Sequence, residues 1–166
     1  SLRRQRQMCI RDRHIIYGES GVGKSSLLDA FQGKRLKDSL NFEMNTSLDP
    51  ALKVYRIFHN PDHQIIASTV SNEITFAGEC KQLDPKQLKE ILDRNLKYLP
   101  DHIDPMMNPG YLSGGEKELL NLVTALDFDP DILLVDDGLS FLSDENKEHC
   151  LKIMKDWTER SGGIII

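Results

Sequence analysis

One short run constrains this chain more than any other: Gly18-Glu19-Ser20-Gly21-Val22-Gly23-Lys24-Ser25, which fits the pattern GxxxxGK[ST]. A chain of phosphates carries several negative charges and must be held by many donors at once. Glycines let successive backbone N–H groups turn inward around it, and a following helix adds its positive N-terminal end. Lys24 then reaches the outer phosphates, the Ser25 hydroxyl suits Mg²⁺, and Glu19, Ser20, Val22 and Ser26 complete the cradle. The flanks agree. Residues 14–17 read as a short apolar strand, and residues 24–32 as a helix with Leu27, Leu28 and Phe31 on one face and Gly33 as its stop. A chance glycine-rich turn would not require that strand-loop-helix setting. The run predicts binding of a nucleoside triphosphate.

Beyond it the pattern keeps alternating. Residues 40–44 and 54–58 read as strands, the second ending at Asn60-Pro61. Asp84 can N-cap a helix with Pro85 at its first position, running to about residue 99 with Leu88, Ile91, Leu92 and Leu96 inward. Residues 101–110, with Pro105 and Pro109, read as a loop. A helix follows Ser113, with Leu119, Leu122, Val123 and Leu126 at helical spacing; residues 131–136 form a buried strand, 145–160 a helix, and Ile164 begins a last strand. This alternation predicts an α/β fold with a largely parallel sheet flanked by helices.

Charge and composition narrow the function. A net charge of −5 over 166 residues gives no electrostatic reason to bind nucleic acid. No run approaches the roughly 18–20 apolar residues that cross a bilayer, so a soluble, cytoplasmic protein is expected. Cys9, Cys80 and Cys150 are scattered and lack metal-ligand spacing, as reduced thiols would be. The opening SLRRQRQMCIRDR is dense in arginine and without periodicity. It reads as non-native sequence joined to a gene fragment, the alternative being a basic arm for phosphate or membrane. Residues 14–166 are accordingly expected to be an incomplete domain.

A second element completes the phosphate site. Strand 131–136 ends in Asp136-Asp137, where an acid can hold Mg²⁺ together with Ser25, although a solvated Asp-Asp-Gly turn would look the same taken alone. Between the two elements stands Leu112-Ser113-Gly114-Gly115-Glu116, with Ser113 preceding Asp136 by 23 residues. Its Ser-to-Glu spacing is a capping box. It also resembles the LSGGQ signature of ABC-type ATPases, and residues 58–76, FHNPDHQIIASTVSNEITF, resemble the corresponding segment of energy-coupling-factor and cobalt-type importers. The resemblance implies a P-loop NTPase fold with an inserted helical subdomain at about residues 62–122. It implies ATP and Mg²⁺ as cofactors, and a head-to-tail homo- or heterodimer with a second ATPase subunit. In that dimer Ser113, Gly114, Gly115 and Glu116 would face ATP held by the other subunit. It further implies transmembrane transporter subunits as partners, on the inner face of the cell membrane. An adenine-stacking aromatic would precede residue 14 and a histidine would follow Ile166.

Against that pattern, the positions that hold nucleotide are intact: Gly18, Gly21, Gly23, Lys24, Ser25 and Asp136. Those expected to manage water differ. His59 stands where the family has a glutamine, and Asp137 where it has the catalytic glutamate; these two are the candidate catalytic residues. Glu116 replaces a glutamine, Gly138 a proline and Ser143 an aspartate. The leading expectation is an importer ATPase with attenuated hydrolysis. A chromosome-associated ATPase would share LSGGEK, but only 87 residues separate Ser25 from Ser113 and no heptad run fills them. A nucleotide-binding regulator without turnover is the other alternative.

Overall fold

The computed structural model describes residues 14–16, 19, 21–32, 51–137, 139, 141–161 and 163–165. Their elements run α1 (Lys24–Phe31), β1 (Val54–Ile57), α2 (Val70–Cys80), α3 (Pro85–Leu96), α4 (Gly114–Asp127), β2 (Ile132–Val135), α5 (Asp144–Ser161) and β3 (Ile164–Ile165). Single 3-10 turns occupy Pro61–His63 and Pro109–Tyr111.

The apolar run of β2 explains its place. Ile132, Leu133 and Leu134 are all buried, as a strand covered on both faces must be. β2 lies between β1 and β3 and pairs parallel to each, with Val54 opposite Ile132 and Ile132 opposite Ile164. Asp131 pins the start of the β1 register: its carboxylate accepts the Lys53 N–H at 2.8 Å while its own N–H reaches the Lys53 carbonyl at 2.9 Å. Side chains alternate across the sheet. Leu133 joins Ile57, Ile165, Leu120, Val123 and Trp157 on the face covered by α4 and α5. Ile132 and Leu134 pack with Leu28, Phe31 and Ile16 on the face covered by α1. The parallel α/β expectation is met, and the sheet carries the ends of β1 and β2 to the start of α1.

The start of the chain departs from the sequence expectation. Among the described residues, 14–16 carry no strand, although the His14 N–H donates to the Ile165 carbonyl of β3 at 2.8 Å; Tyr17, the last residue of the expected strand, lies outside the described residues. Residues 70–80 are a helix, within the stretch expected to hold the helical subdomain. β-Branched Val70, Ile74 and Thr75 favour strands locally, but Thr69 accepts the Asn72 N–H at 3.2 Å as N-cap, and Val70, Ile74 and Ala77 turn one face fully inward. Packing overrides the local preference. α3 also stops at Leu96 rather than near residue 99, with Lys97 as C-cap. The strand expected at 40–44 lies outside the described residues. No helix among the described residues is long and apolar enough to cross a membrane.

Candidate functional site

The loop before α1 takes its shape from two backbone positions. Gly21 and Gly23 have φ of +82° and +100°, the left-handed region, and an added Cβ at either would meet nothing within 4 Å. Backbone conformation, not space, demands glycine there. The Val22 N–H closes a turn on the Glu19 carbonyl at 3.3 Å. Gly23 is the N-cap of α1 and offers no side chain to its first amides. The Lys24 ammonium arches back to the Glu19 carbonyl at 2.9 Å. A helix start without a side-chain cap, under a folded-back lysine, suits an anion. Gly18 and Ser20 lie outside the described residues; Ser26 is in the first turn of α1.

The end of β2 meets this loop. The Ser25 hydroxyl donates to Asp136 Oδ1 at 2.9 Å, joining positions 111 residues apart. Oxygens bound cis to Mg²⁺ at roughly 2.0–2.1 Å lie roughly 2.9 Å apart, so this pair fits the ion. Among the described residues no three His, Cys, Asp or Glu side chains gather to hold a metal.

The second Asp136 oxygen is also engaged, by a residue the sequence did not reveal. Arg56, on β1, gives one terminal nitrogen to Asp136 Oδ2 and the other to Asp29 Oδ1 on α1. Its side chain is 6% exposed and its Nε–H has no acceptor among the described residues. Burial alone would lower the guanidinium pKa, but the pairing with Asp136 and Asp29 raises it above its ordinary value. The Phe58 ring lies 5.4 Å from the guanidinium carbon. The missed signal is a lone arginine in an otherwise apolar strand; only the sheet order tells which acids it meets.

His59 and Asp137 come together more loosely. His59 Nδ1 is 3.5 Å from Asp137 Oδ2, and their side chains are 60% and 71% exposed. Asp137 has φ +53°, in the left-handed region. Phe141 flanks the imidazole at 6.0 Å between centroids. Gln64 is structural: its amide accepts the Phe58 N–H and donates to the Arg56 carbonyl, each at 2.9 Å, closing the turn after β1.

Ser113 to Glu116 form a separate cluster at the start of α4. Ser113 Oγ accepts the Glu116 N–H at 3.3 Å, and the Glu116 carboxylate accepts the Ser113 N–H at 2.7 Å and meets His102 at 2.6 Å. Burial alone would raise the Glu116 pKa; the bonds from Ser113 and His102 outweigh it and hold the carboxyl below its usual range. A Cβ on Gly115 would lie 3.2 Å from the Phe141 carbonyl, so glycine lets this helix start sit against the 141–142 turn. Farther along, Lys117 pairs with Asp62 at 2.7 Å and Asn121 donates to the Pro61 carbonyl at 2.9 Å, tying α4 to the turn after β1.

Residues 9–140 match a family model described as ABC transporter. The chain belongs to the ABC transporter family. Among similar proteins is the energy-coupling factor transporter ATP-binding protein EcfA1 of Mycoplasma capricolum, 33% identical over 147 residues, covering 84% of this chain and 36% of that protein. The protein of the same name from Mycoplasmopsis pulmonis is 31% identical over 160 residues, covering 91% of this chain and 60% of its own length. The structure of cbiO1 from Clostridium perfringens, part of the ABC transporter complex cbiONQ, superposes with a TM-score of 0.72 at 24% identity over 93% of this chain and 65% of that one. The chain thus spans only part of the length of each. The cbiO1 likeness bears out the P-loop fold. Within this ABC-family fold the candidate residues form three groups: Lys24, Ser25 and Asp136; His59 and Asp137; and Ser113 to Glu116.

Proposed function

We propose that this chain is the ATP-binding portion of an importer ATPase, which binds ATP with Mg²⁺ and hydrolyses it to power solute transport through membrane subunits. The carrying observation is the Ser25–Asp136 contact at 2.9 Å beside the uncapped start of α1. Amides from Gly18 to Ser26 and the Lys24 ammonium would hold the phosphates, and Ser25 with Asp136 the metal. Mg²⁺ bound there would offset phosphate charge. Asp137, beside His59, is the group available to position and deprotonate water. Its direction toward an exposed imidazole at 3.5 Å favours slow turnover.

The names of the relatives, ATP-binding proteins of energy-coupling factor transporters, support the importer reading, as does the membership of cbiO1 in a larger complex. Ser113 to Glu116 would serve ATP held by a second ATPase subunit, homo- or heterodimeric and head to tail. Residues 62–122 act as the helical subdomain, with the stretch after Pro61 meeting transmembrane subunits at the inner membrane face. No nucleic acid is expected as partner, given the net charge of −5. The test is binding of labelled ATP: Lys24→Ala should abolish it, and unchanged affinity would remove the site assignment.

A further inference from the structure

Arg56 does something the three groups above do not account for. Its guanidinium joins α1, β1 and β2 at one point, through Asp29 and Asp136. An arginine whose side chain is 6% exposed is costly to bury unless its charge is matched. The two carboxylates, each bonded to the same guanidinium, would repel one another without it. Arginine suits this place better than lysine, because its rigid fork serves two acids in fixed directions. The contact also leaves Asp136 Oδ1 with the Ser25 hydroxyl, the oxygen pair that fits Mg²⁺.

A nucleotide site next to an acid faces an electrostatic problem before metal arrives. Asp136 is negative, and so is the phosphate chain that must settle beside it. A divalent ion can relieve that repulsion; here a tethered cation already sits on the other oxygen of Asp136. We propose that Arg56 is an internal counter-cation of the metal side, holding Asp136 on Ser25 and neutralising it so that ATP enters without needing Mg²⁺. Arg56 is thus a positioning residue. The proposal rests on the reading of Asp136 as the metal ligand, and it predicts a chain less demanding of divalent ion than its acid would suggest.

The experiment compares affinity for a fluorescent ATP analogue in EDTA and in excess Mg²⁺, using the whole chain. For the unsubstituted protein the two affinities should agree within about ten-fold. Arg56→Leu should weaken binding in EDTA by at least about ten-fold, equivalent to about 1.4 kcal/mol, and recover most of it in Mg²⁺. An equal ratio of the two affinities in both proteins would overturn the proposal. If Arg56→Leu fails to fold, Arg56→Lys should show the same change in ratio, smaller in size, and an unchanged ratio would be equally decisive. A second readout needs no nucleotide: Mn²⁺ binding followed by electron paramagnetic resonance. Removing the counter-cation should tighten Mn²⁺ binding, because Asp29 and Asp136 lose the positive charge that compensates them. A purely structural role for Arg56 would leave Mn²⁺ binding unchanged or weaken it. If the analogue binds in neither condition, the nucleotide reading fails while the Mn²⁺ comparison still judges Arg56.

Discussion

The two sides of the candidate site are built to different standards. On the metal side, Ser25, Asp136, Arg56 and Asp29 interlock, and the arginine and Asp136 side chains are only 6% and 14% exposed. On the water side, His59 and Asp137 face each other at 3.5 Å with most of each side chain in solvent. A network bonded around a buried guanidinium has few arrangements; an exposed pair at that distance has several, each screened by water. Under the proposed function, the contrast separates holding a ligand from aiming a reagent, with the second task assigned to the looser half.

That difference can be broken by substitution. The largest effect belongs to the interlocked side: Asp136→Ala leaves Arg56 with one carboxylate and should cost about 3 kcal/mol, read from the urea midpoint. Next comes the start of α4. Ser113→Ala removes a cap and should cost about 1 kcal/mol at neutral pH. Part of that loss depends on ionised Glu116, whose pKa is lowered in the fold, against desolvation, by Ser113 and His102. Such a group stabilises above its ordinary pKa, and the contribution disappears as pH falls through the lowered folded value. The gap between variant and parent should therefore narrow in strong acid, which melting curves against pH would reveal. The smallest effect on stability is His59→Ala, within about 0.5 kcal/mol. A larger destabilisation by that variant would show the water side to be as firmly built as the metal side.

The legible parts of the sequence were those whose local signals agree with their packing. Asp84-Pro85 and Ser113-Gly-Gly-Glu116 each state a helix start in capping chemistry, and both capping boxes form. The apolar run of β2 states a covered strand. The phosphate loop is spelled out by glycines whose left-handed backbone leaves no alternative. What stayed hidden depends on long-range partners. α2 is written in β-branched residues and becomes a helix because Val70 and Ile74 have a core to enter. Arg56 looks like a blemish in a strand until β1 lies beside β2, and until α1 brings Asp29 across. The pairing of His59 with Asp137 likewise needs the ends of two strands side by side.

The backbone at Asp137, with φ +53°, limits which acids evolution could install there. Aspartate is enriched in the left-handed region over longer side chains, although Gln82 also stands there at φ +56°. Lengthening the acid by one carbon is therefore two changes in one: a longer reach and a side chain less favoured by that backbone.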